Sequence, residues 1–254
     1  MIFDTHAHYD DDAFDEDRDT LLSGMQDAGV EYIVNVGASM ASSERSLKLA
    51  EKYPFVYAAV GVHPDESGEL NEENLAQLRE WSFSEKVKAI GEIGLDYYWD
   101  KEKHDLQKHW FMRQMELASE RKLPMIVHSR EAAKDTLDMI VAAKPLNLSG
   151  IIHCYSYSVE QAREYLNMGY YIGIGGVLTF KNAKKLKEVA EYVPLSQIVL
   201  ETDCPYLAPV PYRGKRNDSS KLSHVAEELA AIKQMPVEEV IRITNENGRR
   251  LYNI

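Results

Sequence analysis

His6 and His8 stand two residues apart, just after a short apolar, β-prone start at Ile2-Phe3. Side chains on an extended strand alternate between faces, so this pair points the same way. Two imidazoles on one face can grip one metal ion, although two surface histidines in a terminal segment would read the same in isolation. The other residues able to do chemistry follow the pattern. His63, Glu92, His128, His153, Glu201 and Asp203 each close an apolar, β-prone run. Five of the eight histidines occupy such places; the others are His104, His109 and His224. Glu201 and Asp203 again share parity. Four histidines with two or three carboxylates exceed the needs of one ion and suit two divalent ions. The mixed N/O donors favour Zn, Mn, Fe, Co or Ni over an all-oxygen Mg site without removing Mg.

The elements that must position these residues are eight strand-like runs. They begin at Ile2, Tyr32, Val56, Val87, Leu123, Ser149, Tyr170 and Ile198. Helical patterns separate them at roughly 25–35 residue spacing, the signature of successive βα units and a parallel sheet. Eight units in 254 residues predict an α/β fold, a (β/α)8 TIM barrel, as a single domain over residues 1–254. No Gly-x-Gly-x-x-Gly follows the first strand, which weakens a dinucleotide-binding alternative. In a barrel the C-terminal ends of the strands carry the active site. Strands one and eight become neighbours when a barrel closes, so His6 and His8 are expected beside Asp203.

Composition narrows the rest. A hydrophobic content of 44% supports a real core, and no apolar run is long enough to cross a membrane. The first residues lack the basic and apolar regions of a signal peptide, so a cytoplasmic location is expected. The two cysteines, Cys154 and Cys204, need not pair in a reducing compartment. Each follows a candidate ligand by one residue, and parity turns it away from the site. The net charge of −12 argues against a protein that coats nucleic acid through a broad basic face. It leaves room for a local basic rim or a site whose metal supplies the positive charge.

Six segments together resemble the TatD family of metal-dependent deoxyribonucleases. They are Asp4-Thr5-His6-Ala7-His8, Gly61-Val62-His63-Pro64, Gly91-Glu92-Ile93-Gly94-Leu95-Asp96-Tyr97, Val127-His128-Ser129-Arg130, His153-Cys154-Tyr155-Ser156 and Leu200-Glu201-Thr202-Asp203-Cys204-Pro205-Tyr206-Leu207. They run in the family's order over essentially the whole chain. The resemblance implies a TIM-barrel hydrolase acting on DNA, often as a 3′→5′ exonuclease, with two divalent metal ions. It implies that His6, His8 and Asp203 hold one ion and His128 and His153 the other, with Glu92 bridging. His63, Arg130 and Glu201 would lie close by. The family's basic loop is present as Pro211-Tyr212-Arg213-Gly214-Lys215-Arg216-Asn217. The Glu-Pro that commonly follows it is replaced by Asp218-Ser219.

On this reading the ions neutralise the phosphodiester and ionise a water, with Asp203, Glu201 and Glu92 as the catalytic carboxylates. Arg130 suits a phosphate oxygen through its planar fork, and Arg213, Lys215 and Arg216 would grip neighbouring phosphates. The expected partner is DNA, single-stranded or at a 3′ end, with no membrane and no obligate protein partner. Plainer readings stand beside these. His63 could hydrogen-bond only a ligand or the backbone, Glu201 could anchor a ligating histidine, and Arg213–Arg216 could be a surface turn. Tyr97, Tyr98 and Tyr155 could stack on bases or simply pack. An amidohydrolase-like lactonase, amidase or phosphotriesterase shares the His-x-His start. Many of these bridge their metals with a carboxylated lysine, but Lys88 lies roughly 13 Å down the strand from Glu92. A metal-bound nucleic-acid-binding protein without turnover is the other alternative.

Overall fold

The computed structural model describes residues 1–99 and 102–254. Eight strands alternate with helices in the order of a (β/α)8 TIM barrel: β1 (Ile2–Ala7), β2 (Val30–Val36), β3 (Val56–Val60), β4 (Val87–Asp96), β5 (Met125–Arg130), β6 (Gly150–Ile152), β7 (Tyr171–Ile174) and β8 (Ile198–Leu200). The helices are α1 (Arg18–Ser23), α2 (Met40–Lys52), α3 (Glu72–Trp81), α4 (His104–Arg121), α5 (Ala133–Ala142), α6 (Val159–Asn167), α7 (Lys184–Tyr192), α8 (Leu222–Lys233) and α9 (Val237–Tyr252). Side-chain caps explain several starts. Ser39 accepts from the Ser42 N–H at α2, and Asn71 accepts from the Asn74 N–H at α3. None of the described helices is long and apolar enough to cross a membrane.

The chain divides into two compact units. The first joins Met1–Asn35 to Cys154–Ile254. In it β1 pairs parallel with β2, Ile2 opposite Val30 and Asp4 opposite Ile33. On the other side of β1, Ala7 bridges to Cys204 just beyond β8, and β8 pairs with β7. The strand-one and strand-eight ends therefore meet, as barrel closure requires. Phe3, Val34, Ile172, Val199, Leu229 and Tyr252 lie in its core.

The second unit is Val36–His153. Here β3 pairs with β4, β4 with β5, and β5 with β6, all parallel. Ile90, Ile93, Val127, Phe111 and Met115 are buried between strands and helices. One glycine is a geometric necessity. Gly94 in β4 has φ +147°, and a Cβ there would stand 1.9 Å from the His128 carbonyl oxygen. Only glycine lets β4 and β5 approach closely enough to set the residues after it beside His128.

Several strands end sooner than the sequence suggests. β8 stops at Leu200, β6 at Ile152 and β3 at Val60. Glu201, Asp203, His153 and His63 thus lie on the turns that leave the strands. Asp203 and Cys154 have left-handed backbones, φ +59° and +44°. Strand parity cannot be extended through such residues.

Candidate functional site

In the first unit the N-terminal pair meets the aspartate after β8. His6 Nε2 and His8 Nε2 are 2.9 Å apart. Asp203 Oδ1 lies 3.7 Å from the former and 3.4 Å from the latter. Ligand atoms around a tetrahedral ion with bonds of 2.0–2.1 Å are separated by about 3.3 Å. The three distances bracket that value, so the donor set fits a single divalent cation. The backbone explains the convergence. The His8 N–H donates to the Cys204 carbonyl, and the Asp203 N–H donates to that of His6.

Beneath this group Asp4 is fully buried and gathers four hydrogen bonds. The N–H of His6 (3.3 Å) and the N–H of Thr202 (3.0 Å) reach its Oδ1. The hydroxyls of Thr202 (2.7 Å) and Ser219 (2.6 Å) reach its Oδ2. Burial raises this carboxyl to about 7, against the four donors, which favour the charged form. Asp4 ties His6 to Thr202, the residue before Asp203, so it positions both halves of the donor group. Ser219, where the resembling family has proline, spends its proton on Asp4 and accepts from the Tyr9 hydroxyl at 2.8 Å. Glu201 turns its Oε1 to the Cys154 N–H at 2.6 Å. A Cβ on Gly173 would come within 2.5 Å of the same carboxylate, so that glycine makes room for it.

Beside these carboxylates is a small pocket of about 50 Å³, lined by Tyr155, Val177, Leu186, Glu201, Asp203 and also Cys154. Cys154 thus borders this pocket, and with its left-handed backbone the strand alternation does not carry through it. Cys204 is buried as packing, and burial pushes its thiol up and makes it inert. No disulfide joins the two cysteines.

In the second unit the donors gather on Glu92. Its Oε1 is 2.7 Å from His128 Nδ1, 3.7 Å from His153 Nε2 and 3.9 Å from His63 Nε2. The other nitrogen of His128, Nε2, is 3.0 Å from Asp96 Oδ2. An ionised carboxylate only accepts, so Asp96 fixes the proton on Nε2. Nδ1 then faces Glu92, acceptor to acceptor, unless a proton or a cation lies between them. Burial alone would lower the His128 pKa. The hydrogen bonds to Asp96 and Glu92 outweigh it and raise it to about 9. Burial likewise works to raise Asp96, and the hydrogen bonds from His128 and from the Trp99 and Tyr98 N–H groups bring it below its ordinary value. A ring held by a carboxylate on one nitrogen and offering the other is the arrangement of a metal-ligating histidine. His63 Nδ1 accepts from the Asp65 N–H at 3.2 Å and starts the short helical turn Pro64–Glu69.

The structure thus brings His6, His8 and Asp203 together in one unit and Glu92, His128, His153 and His63 in the other. Sequence reasoning did not single out Asp4 or Asp96. Their signal was parity: Asp4 matches His6 and His8, and Asp96 matches Glu92. Lys88, the rival bridging group on β4, points its amine over the Tyr57 ring at 5.4 Å. The cations divide. Arg130 is exposed, its guanidinium 4.0 Å above the Tyr98 ring. Arg213 lies 4.5 Å over Phe180, and Lys215 is exposed. Arg216 grips both oxygens of Asp17 (2.9 and 2.6 Å) and the Ala13 carbonyl, so it fastens the loop to the protein. The expectation that it grips a phosphate meets a side chain already engaged.

A (β/α)8 chain with these donor groups is a metal-dependent hydrolase, and comparison with known proteins agrees. The model of TatD-related DNases matches residues 3–253, and the chain belongs to that family. An uncharacterized metal-dependent hydrolase of Bacillus subtilis, YabD, is 44% identical, with all of both chains aligned. The Mycobacterium tuberculosis relative named TatD is 33% identical over 100% of this chain and 98% of its own. Among solved structures, the TatD homologue YjjV of Escherichia coli superposes with a TM-score of 0.93 at 30% identity, covering 100% of this chain and 98% of that one.

Proposed function

We propose that this hydrolase is a deoxyribonuclease that removes nucleotides from the 3′ ends of single-stranded DNA and holds two divalent cations. The observation that carries the reading is the pair of donor groups, His6–His8–Asp203 and His63–Glu92–His128, each with nitrogen and carboxylate donors at ligand spacing, with His153 Nε2 a further 3.7 Å from Glu92. When bound, divalent ions neutralise phosphate charge and lower the pKa of water. The protein's own residues do the rest. Asp203 Oδ1, turned toward the histidine pair, orients a water and takes its proton. Glu201, fixed by the Cys154 N–H, keeps a second carboxylate beside the cavity. Arg130, Arg213 and Lys215 are the exposed or partly exposed cations available to phosphates, which explains how an acidic chain attracts DNA.

The test is turnover of a 5′-labelled single-stranded oligonucleotide by metal-loaded and chelator-treated protein, with lactone and phosphotriester controls. Stepwise shortening from the 3′ end is expected, lost on chelation and restored by metal. Asp203→Ala should fall below about a hundredth of wild type. Equal turnover by that variant, or turnover confined to a control substrate, removes the nuclease reading.

A further inference from the structure

Tyr98 and Trp99, on the turn after β4, are 43% and 67% exposed. A tryptophan is a large apolar group that folded chains ordinarily cover. Here it is displayed and held. The two rings meet edge to face at 4.7 Å and 86°. The Arg130 guanidinium lies 4.0 Å from the Tyr98 ring centre and 5.5 Å from that of Trp99. The backbone is fixed as well: the N–H groups of Tyr98 (2.8 Å) and Trp99 (3.2 Å) both donate to Asp96 Oδ1. The other oxygen of that carboxylate holds His128. One aspartate therefore sets the candidate ligand and the aromatic pair in a common frame.

We propose that Trp99 and Tyr98, braced by Arg130, form a stacking platform for an unpaired nucleobase and so select single-stranded DNA over duplex. Every base has a π-face, so aromatic rings bind single strands with little sequence preference. The cation over the Tyr98 ring adds attraction for the neighbouring phosphate. In a duplex the bases are already stacked on one another and cannot reach the indole. The proposal rests on the nuclease reading for its ligand class and adds the residues that choose the strand form.

Binding of a 5′-fluorescein single-stranded decanucleotide with phosphorothioate linkages, followed by anisotropy on the metal-loaded protein, tests it. Trp99→Ala should weaken binding roughly tenfold to a hundredfold, the worth of one base stack, while Trp99→Phe stays within about threefold. An oligonucleotide with abasic residues at its 3′ end should lose the same factor against wild type and nothing further against Trp99→Ala, the mark of coupled partners. A blunt duplex should bind wild type more weakly than the single strand. The platform is overturned if Trp99→Ala binds as wild type, if the abasic loss is equal in both proteins, or if duplex binds as well. Turnover of the ordinary phosphodiester oligonucleotide is read separately. Wild type that binds through Trp99 without cleaving keeps the platform and removes the nuclease reading. Wild type that cleaves, with KM unchanged in Trp99→Ala, removes the platform alone.

Discussion

Replacing Asp96 by asparagine should damage metal binding more than replacing it by alanine. In the wild type Oδ1 receives two backbone N–H groups, from Tyr98 and Trp99, and Oδ2 receives His128 Nε2. Asparagine has one acceptor oxygen. Turning its NH2 toward the two backbone donors would leave both without that acceptor, at about 1–3 kcal/mol each. The oxygen therefore stays with the backbone, and the NH2 faces His128 Nε2. That nitrogen must then accept, so the proton moves to Nδ1, the atom aimed at Glu92. A protonated Nδ1 cannot be a ligand. Alanine removes the support without imposing the wrong tautomer, much as an asparagine in a serine-protease triad keeps the geometry and inverts the tautomer. Loss of such a supporting group costs about 10–100-fold in metal affinity, or about 1.4–2.7 kcal/mol. Alanine belongs near the lower end and asparagine at or above the upper. Calorimetric titration of chelated protein with Zn or Mn measures the affinities, and 15N NMR of the imidazole reads the tautomer. Asparagine binding metal as wild type does, or better than alanine, refutes the argument.

Three further outcomes follow from the geometry. Asp4→Ala removes the acceptor of two backbone N–H groups, while the Ser219 hydroxyl keeps Tyr9 and that of Thr202 keeps the His6 carbonyl (3.3 Å). The expected cost is about 1–3 kcal/mol, read as a lower urea midpoint at unchanged slope; a loss below about 0.5 kcal/mol would contradict the anchoring role. In chelated protein His128 is held at about 9 against an ordinary 6.5, so its proton stabilises the fold. That contribution is complete below pH 6.5 and fades as pH rises through 9, and urea midpoints independent of pH across this window would contradict it. In the basic loop, Arg213→Ala and Lys215→Ala should each reduce the log–log salt slope of single-strand binding by roughly 0.7, whereas Arg216→Ala, already paired to Asp17, should leave it unchanged. Equal slopes for all three would show that the distinction is false.

The sequence made the donor residues legible because metal chemistry needs a few residue types and βα architecture puts them in regular places. His6 and His8 could be paired from spacing alone, and barrel closure brought Asp203 to them. The reasoning weakened where the strands stopped. At Cys154 and Asp203 the backbone turns left-handed, and a two-residue alternation no longer says which way a side chain points. Arg216 shows a different limit. A run of cations shows charge but not which members are already paired, and its partner Asp17 lies on a distant stretch of sequence. Asp96 and Asp4 could have been found, since each keeps step with a candidate ligand on its own strand. Nothing local showed that they would serve as hubs, because their partners come from other segments.

The interleaving of the two units bears on how the protein is made. His153 ends the segment that contains Glu92 and His128, so this donor group is complete in the nascent polypeptide once that residue has been added. The opening histidines must wait for Asp203, fifty positions later. At roughly 5–20 residues per second, translation holds the two events about 2.5–10 s apart. During that interval a chain emerging from the ribosome carries one donor group entire and the other still lacking its carboxylate, so the order in which the two can assemble is written into the order of synthesis.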